Sequence, residues 1–230
     1  MEQETVNSSV GNILVQMNDI GKSYGQTEVL KNINLNIFEG QNHVIQGASG
    51  SGKSTLLYIL GSLERPTSGQ VFLAGKETTK MNDAQLSEMR NRFIGFVFQF
   101  HFLLPSMTCM QNILLPAKIA GIKEKKIKAK ILEYAEELNI THCLKKYPFE
   151  ISGGEQQRVN IIRAISLSPK LILCDEPTGN LDSKNTQVAI AMLKNLAKEA
   201  GSTLIVVTHD NSVAASFEHK ITIEDGQIIG

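Results

Sequence analysis

The fold of this chain is decided by the stretch Gly47-Ala48-Ser49-Gly50-Ser51-Gly52-Lys53-Ser54-Thr55. It matches the pattern G-x-x-x-x-G-K-[ST] at every fixed position. Glycines let the backbone close tightly around phosphate oxygens, because a Cβ would collide there and positive φ angles are often needed. The backbone N–H groups then point inward at the start of a helix whose dipole favours negative charge. The stretch therefore predicts a nucleotide-phosphate site between a strand and a helix.

Two side chains of this loop have expected chemical roles. We expect Lys53 to reach the β- and γ-phosphates of a nucleoside triphosphate, and the Ser54 hydroxyl to ligate Mg²⁺. The flanking sequence supports the site, because residues 42–46 are typical of a strand and residues 55–60 of a helix. A flexible glycine-serine loop is the alternative interpretation. The order of strand, loop, lysine and helix disfavours it.

Length and charge limit the classes of protein. The chain has 230 residues, enough for one large domain or for one domain with a subdomain. Lysine plus arginine number 23 and aspartate plus glutamate also number 23, so the net charge is zero. A nucleic-acid-binding protein usually shows a basic excess. We therefore expect no nucleic acid among its partners.

The chain lacks the sequence marks of secretion and of membrane insertion. Its N-terminus is acidic and no apolar segment follows, which is unlike a secretory signal. No apolar run reaches the roughly 20 residues that a membrane-spanning helix needs. The cysteines are odd in number and far apart, without metal-ligand spacing, which predicts buried or free thiols at Cys109, Cys143 and Cys174. We expect a soluble protein in a reducing, cytoplasmic compartment.

Apolar patterns along the chain indicate an α/β fold. Residues 171–174 and 203–208 are mostly apolar runs, as in strands that helices cover on both faces of a parallel sheet. Helical spacing dominates from about residue 100 to residue 150. Other strands are predicted at 13–17, 29–37, 70–74 and 92–98, with a turn at 21–25 and a hairpin at Asp225-Gly226. This order predicts one domain over residues 1–230, with a parallel α/β core, an antiparallel β subdomain and an inserted α-helical subdomain at about residues 100–160. Together with the phosphate loop, this core resembles a P-loop NTPase (RecA-like) fold.

A pair of acidic residues, Asp175-Glu176, closes the apolar strand at 171–174. Ligands of an open α/β sheet bind at the carboxyl ends of its strands, so these acids should lie beside the phosphate loop. We expect Asp175 to hold Mg²⁺ through water and Glu176 to polarise the attacking water. An acidic turn before Pro177 is the alternative interpretation.

A second glycine-rich segment reads Ile151-Ser152-Gly153-Gly154-Glu155-Gln156-Gln157-Arg158. A serine and two glycines at the start of a helix present bare N–H groups and a hydroxyl at a positive dipole end, which is a second phosphate-binding surface. An ordinary Ser N-cap is the alternative. The segment resembles the signature L-S-G-G-[EQ]-x-Q-R of the ATP-binding cassette (ABC) family, with Ile151 in place of leucine, a conservative change.

This resemblance implies roles for further residues. Gln99, at the end of a strand, matches the glutamine that contacts Mg²⁺ and the attacking water. His209, after the apolar strand at 203–208, matches the histidine that hydrogen-bonds the γ-phosphate. Asp182 in Leu181-Asp182 matches a loop that crosses a dimer interface, although it could also cap the next helix. Tyr24 matches an aromatic residue that stacks on adenine, with a packing tyrosine as the alternative.

The resemblance also implies the assembly. Two copies are expected to pack head to tail, so that each ATP lies between the phosphate loop of one copy and Ser152, Gly153, Gly154 and Glu155 of the other. ATP would hold the dimer closed and hydrolysis would release it. The family works with integral membrane subunits, which the segment 100–112 would contact. The implied location is the cytoplasmic face of the inner membrane.

Two segments are similar to a narrower group within the family. They are residues 98–105 and residues 175–182, and the group contains lipoprotein-releasing, macrolide-exporting and cell-division ATPases. The end of the first segment, which reads Phe-Leu-Leu-Pro over residues 102–105, looks most like the lipoprotein-releasing type. Two residues depart from that type: Phe102, where it often has histidine, and Asn160 of Asn160-Ile161, where alanine and isoleucine are usual. The group implies release of lipoproteins from the inner membrane, with macrolide export or cell division as alternatives.

Two other classes of ATPase remain as rivals. A soluble ABC ATPase acting on DNA or ribosomes would predict a basic excess, a coiled-coil insertion or two cassettes in one chain, and the sequence has none of these. A P-loop kinase would leave residues 152–158 unexplained. Phosphate release without an acceptor separates a hydrolase from a kinase.

Overall fold

The computed structural model describes residues 11–179 and 183–229. The strands, in chain order, are β1 (Ile13–Tyr24), β2 (Thr27–Phe38), β3 (His43–Gln46), β4 (Ser68–Leu73), β5 (Lys76–Glu77), β6 (Ile94–Phe98), β7 (Leu171–Asp175), β8 (Thr203–Val207), β9 (His219–Glu224) and β10 (Gln227–Ile228). The helices are α1 (Lys53–Leu60), α2 (Asp83–Phe93), α3 (Cys109–Ile119), α4 (Lys128–Glu137), α5 (Gly153–Ile165), α6 (Ser183–Ala200) and α7 (Asn211–Ala215). Short 3₁₀ turns lie at Thr78–Lys80, Glu124–Lys126, Thr141–Cys143 and Pro148–Glu150.

The central sheet has six strands in the order β10-β9-β3-β8-β7-β6. Its strands from β9 to β6 pair in parallel, and β10 adds an antiparallel edge. Every residue of β7 and β8 is buried, which explains their apolar sequences, because both faces of the central sheet are covered. The predicted α/β fold with a parallel core is confirmed.

The second sheet is antiparallel, in the order β2-β1-β4-β5, as predicted. Its apolar side packs with α1 on one face of the central sheet, forming one buried cluster. The turn predicted at 21–25 is confirmed only at Gly25, since β1 continues to Tyr24 and pairs Lys22 with Leu30 and Ser23 with Glu28. The pairing register shifts between Ile20 and Lys22, so Gly21 is part of the strand as a local irregularity. The chain reverses at Gly25, whose φ is 58°.

A helical layer covers the opposite face of the central sheet. Helices α3, α4, α5 and α6 contribute to a second buried cluster with β6, β7 and β8. The helical region starts later than predicted, because residues 99–108 form turns and irregular backbone before Thr108 caps α3. Asn112, fully buried, explains this, since its side chain bonds the backbone of Leu104, Met107 and Thr108 and holds the segment in a loop.

Smaller predictions have mixed outcomes. The strand predicted at 92–98 is shorter, because Arg92 and Phe93 complete α2. The hairpin at Asp225-Gly226 is confirmed by the pairing of β9 with β10. The cysteines are buried and free, also as predicted. Across the described ranges, no helix combines the length and apolar character needed to cross a bilayer.

Candidate functional site

Parallel register brings the predicted site residues to one edge of the central sheet. Phe98 of β6 pairs with Asp175 of β7, and Asp175 pairs with Val207 of β8. Ile45 of β3 pairs with Val207 in turn. The four strands therefore end together, and the residues that follow them meet there: Gln99, Glu176, His209 and the loop that starts at Gly47.

The phosphate loop connects β3 to α1 in a conformation that requires glycine. The φ angles are 152° at Gly47, 79° at Gly50 and 105° at Gly52. A Cβ on Gly47 would lie 2.2 Å from the carbonyl oxygen of Ile223, and one on Gly52 would lie 2.7 Å from a methyl of Leu30. Side chains at these positions would displace neighbouring atoms, so glycine allows the tight backbone turn that an anion-binding loop requires.

Lys53 lies inside this loop. Its side chain is buried, and Nζ donates a hydrogen bond of 2.7 Å to the carbonyl oxygen of Ala48. Within the described ranges no carboxylate comes within ion-pair distance of Lys53. A buried ammonium without a charged partner suits a site that takes up an anion, because the anion supplies the missing charge.

Two hydroxyl groups of α1 converge on one carboxylate at the end of β7. Ser54 Oγ donates to Asp175 Oδ1 at 3.1 Å, and the Tyr58 hydroxyl donates to Asp175 Oδ2 at 2.8 Å. Burial, and then the hydrogen bond to Asp175, raise the pKa of Tyr58 to about 12, so this hydroxyl remains a donor. A hydroxyl and a carboxylate side by side offer the hard oxygen ligands that Mg²⁺ prefers.

Sequence reasoning missed Tyr58. The available signal was its spacing, because residues i and i+4 of a helix share a face and Ser54 was already a candidate. Which carboxylate that face meets depends on the packing of α1 against β7, so only the structure identifies the partner.

We expect Tyr58→Phe to lower the free energy of unfolding by about 1.5 kcal/mol, the scale of a hydrogen bond to a charged group. If Asp175 holds Mg²⁺ during ATP turnover, the half-maximal Mg²⁺ concentration should also rise. Denaturant unfolding and a Mg²⁺ titration measure the two effects. Tyr147→Phe is the matched control, since Tyr147 is exposed and directly precedes the 3₁₀ turn Pro148–Glu150. Equal stability losses in the two variants would contradict the role of Tyr58.

Glu176 and His209 form a contact between neighbouring strands. His209 Nδ1 and Glu176 Oε1 lie 2.7 Å apart, with the carboxylate largely buried and the imidazole exposed. Glu176 has a φ of 47°, and its N–H donates to the carbonyl oxygen of Val207. A glutamate held with positive φ is uncommon, and such positions concentrate where a side chain must be aimed.

Gln99 lies against the loop that follows Glu176. A Cβ on Gly179 would come within 2.7 Å of Gln99 Nε2, so the glycine leaves room for this amide. Gln157 of α5 also bonds this loop, donating from Nε2 to the carbonyl oxygen of Pro177 at 2.8 Å. The loop after Glu176 is therefore contacted from β6 and from the signature helix.

The signature segment opens α5 with a complete capping box. Ser152 N and Oγ both donate to Glu155 Oε2, at 2.8 and 2.7 Å, and Glu155 N donates back to Ser152 Oγ. These bonds from Ser152 hold the pKa of Glu155 at about 2, so it is ionised. Gly153 and Gly154 face open space. The N-cap interpretation is thus correct for Ser152, and it coexists with an exposed, glycine-lined helix start.

The structure divides the predicted residues into two groups. The phosphate loop, Asp175, Glu176, His209 and Gln99 share the sheet edge. Among the described residues, the side-chain hydrogen bonds of Ser152 and Glu155 involve each other, His142 and Cys143, and none reaches the phosphate loop.

Two further predictions concern the nucleotide base and the dimer loop. Tyr24 ends β1 half-exposed, with its hydroxyl 3.0 Å from Glu64 Oε2 and Lys22 Nζ 4.8 Å from the ring centroid. These contacts hold the exposed ring of Tyr24 in place, so the ring is able to stack on a flat ligand. Asp182 lies outside the described residues.

Comparisons with known proteins agree with this geometry. A family model described as ABC transporter matches residues 30–179. The lipoprotein-releasing system ATP-binding protein LolD of Geobacter metallireducens is 46% identical over 220 residues, covering 94% of this chain and 98% of that protein. The resemblance inferred from the signature segment is confirmed.

Solved structures show the same fold. The dimeric structure of the bacterial ABC transporter cassette MJ0796 superposes with a TM-score of 0.85 and 38% identity, covering 94% of this chain and 97% of that one. The same cassette, in a dimeric post-hydrolysis state bound to ADP and Pi, also gives a TM-score of 0.85, with 39% identity and the same coverage. The predicted fold class is confirmed as well. This chain belongs to the ABC transporter family, as one of its ATP-hydrolysing cassettes.

Proposed function

We propose that this chain is the ATP-hydrolysing subunit of a membrane complex that releases lipoproteins from the inner membrane. The observation that carries the ATPase part is the adjacent pair Asp175 and Glu176, of which the first meets Ser54 and the second meets His209. The relatives named as lipoprotein-releasing subunits support the cargo class. The cassette would occupy residues 1–230, with a helical subdomain at about residues 100–160.

ATP and Mg²⁺ fit the sheet edge by charge and by ligand chemistry. The N–H groups of residues 47–55 and the Lys53 ammonium would bind the phosphates. Ser54, Gln99 and Asp175 would hold Mg²⁺, directly or through water, because they offer hydroxyl, amide and carboxylate oxygens. When bound, the ion neutralises charge on the β- and γ-phosphates.

Hydrolysis would use Glu176 as the general base. Its carboxylate takes a proton from a water molecule as that water attacks the γ-phosphorus, and the bond to the β-phosphate oxygen breaks to release ADP. His209, already hydrogen-bonded to Glu176 at 2.7 Å, would hydrogen-bond the γ-phosphate and keep the base aimed. Gln99 would position the water from the neighbouring strand.

The signature segment would act on the ATP of a second copy. Its glycines face open space, and its helix start presents N–H groups to an anion. A head-to-tail dimer would then enclose two ATP molecules, each held by residues 47–55 of one copy and 152–155 of the other. To move such a dimer from mostly open to mostly closed, ATP must favour the closed state by about 5 kcal/mol. Charge-assisted bonds from both copies are a suitable source.

A cluster of exposed apolar side chains offers a place for the membrane subunits. We call Phe100, Phe102 and Leu104 the docking surface; they are 67%, 63% and 40% exposed. It borders a groove of about 470 Å³ that is lined by apolar residues of β6 and α3, including Phe96, Phe98 and Ile119, and by polar residues that include Arg90 and Arg163. An apolar helix of an integral membrane subunit would fit here, on the cytoplasmic face of the inner membrane.

The docking surface is connected to both parts of the nucleotide site. Phe102 packs edge-on against Phe98 at 5.3 Å, on the strand that ends before Gln99. Arg163 of α5 donates to the carbonyl oxygens of His101 and Phe102 at 2.7 and 2.9 Å. A displacement of this surface would therefore move both Gln99 and α5, the helix that begins with the signature segment. Binding of the nucleotide and binding of the membrane subunit would then influence each other.

We expect Leu104→Glu to weaken co-purification with membrane subunits by about thirtyfold, the effect of losing an interface anchor of about 2 kcal/mol. Nucleotide affinity of the free protein should not change. Leu132→Glu is the matched control, since Leu132 on α4 is 42% exposed and lies outside the docking surface. Pull-down from detergent-solubilised membranes measures the effect. A folded Leu104→Glu protein that still co-purifies would contradict the docking surface.

The cargo is tested with the complex purified from its own membranes and reconstituted into liposomes that carry a lipid-anchored protein. ATP should release that protein into the supernatant, and Lys53→Ala should abolish release. ATP-dependent macrolide uptake without lipoprotein release would favour the macrolide-export alternative. Turnover with neither activity would contradict transport of both cargo classes and leave the cell-division alternative.

A further inference from the structure

Three potential metal ligands meet beside the signature segment. His142 and Cys143 lie on the 3₁₀ turn Thr141–Cys143, and Glu155 lies in the first turn of α5. His142 Nε2 is 2.8 Å from Glu155 Oε1, while Cys143 Sγ is 3.3 Å from each of these atoms. An imidazole, a thiol and a carboxylate thus bring one potential ligand atom each within 4.8 Å of one another.

The spacing is close to what a tetrahedral ion requires. Zn²⁺ bonds nitrogen and oxygen at about 2.0–2.1 Å and thiolate sulfur at about 2.3 Å, which separates such ligand atoms by about 3.4–3.6 Å. The two distances to sulfur need to open by about 0.3 Å, and the distance from His142 to Glu155 by about 0.5 Å. Rotation of the exposed His142 side chain would open the two distances that contain its Nε2 atom, and a small rotation of the Glu155 carboxylate would open the distance between Cys143 Sγ and Glu155 Oε1.

The position also provides access and selectivity. Cys143 is buried, but His142 is largely exposed, so an ion would enter from the histidine side and water would complete its coordination. A thiolate and an imidazole favour Zn²⁺ over the hard ion Mg²⁺. We propose that His142, Cys143 and Glu155 bind one thiophilic divalent cation of the Zn²⁺ class.

An ion at this position joins the 3₁₀ turn to the start of the signature helix. Glu155 Oε1 binds the ion, while Oε2 keeps the hydrogen bonds from Ser152 N and Oγ. Cys143 loses its proton to the solvent when the metal binds. The bound ion therefore restrains the turn of backbone that contains Ser152.

The test is a titration of the full chain with Zn²⁺ in excess Mg²⁺, which occupies sites for hard ions. Competition with a chromophoric chelator measures affinity and stoichiometry, and Co²⁺ as a substitute reports thiolate ligation through a charge-transfer band. We expect one ion per chain and that band. A stoichiometry of zero, or a Co²⁺ spectrum without thiolate ligation, would overturn the site.

Variants assign the ligands. Cys143→Ser and His142→Ala should each weaken Zn²⁺ binding by more than about 100-fold, because loss of a direct ligand exceeds the usual effect of losing an outer-shell partner. Cys174→Ala is the thiol control, since that buried cysteine lies on β7 outside the cluster. Zn²⁺ should raise the melting temperature of the parent and of Cys174→Ala, but not of Cys143→Ser. Unchanged affinity in folded Cys143→Ser would also overturn the site.

A consequence for turnover rests on the proposed function. If Ser152 must adapt to the ATP of a second copy, Zn²⁺ should slow ATP hydrolysis of the parent and of Cys174→Ala, while sparing Cys143→Ser. Binding with unchanged turnover would overturn this coupling and leave the metal site standing. Absence of turnover without Zn²⁺ would instead count against the proposed function.

Discussion

Glu176→Gln should slow ATP turnover by about 10²-fold or more, the usual scale for loss of a general base. The amide has the size of the carboxylate and can still meet His209, but it cannot take a proton from water. ATP binding should therefore persist, and an ATP-bound dimer should accumulate. Phosphate release is measured with the membrane partner present, and size-exclusion chromatography with ATP detects the dimer.

The control is Glu133→Gln, an equal change on the exposed side of α4. It should leave turnover unchanged. Near-normal steady-state turnover of Glu176→Gln would remove this residue from the role of base. A slow variant that fails to bind ATP would show that the carboxylate acts in binding instead.

Lys53→Ala and Ser152→Arg should each abolish activity, because each damages a different half of the shared site. In a mixed dimer, one site combines the intact Lys53 of the Ser152→Arg copy with the intact Ser152 of the Lys53→Ala copy. The other site contains both substitutions. Mixing the variants should therefore restore activity from one composite site and no more. In a Glu176→Gln background, the mixed dimer should retain one ATP where the parent dimer retains two.

A control tests whether an added arginine is harmful in itself. Glu136→Arg places the same side chain on the exposed surface of α4 and should keep both sites. Mixed dimers that retain no ATP, or a monomer that hydrolyses ATP at the full rate independent of concentration, would show that the signature segment does not act across the dimer.

Local sequence patterns were sufficient to predict those elements that depend on the properties of their own residues. The glycines of residues 47–52 predicted the phosphate loop because close approach and positive φ are properties of the residues themselves. The apolar runs of β7 and β8 predicted buried parallel strands for a similar reason. The turn predicted at 21–25 begins only at Gly25, because pairing with β2 outweighed the preference of Gly21 for a turn. The start of the helical region was misplaced because Asn112 holds residues 104–108 from outside that segment.

The sequence by itself determined the family, the α/β class, the phosphate loop and the signature segment, since each resides in contiguous residues. Only the tertiary structure decided that Tyr58 shares Asp175 with Ser54, that Glu176 meets His209, and that Arg163 holds the loop after Gln99. It also brought His142 and Cys143 to Glu155. These contacts join residues that lie on separate elements, so they depend on strand register and helix packing, to which the whole core contributes.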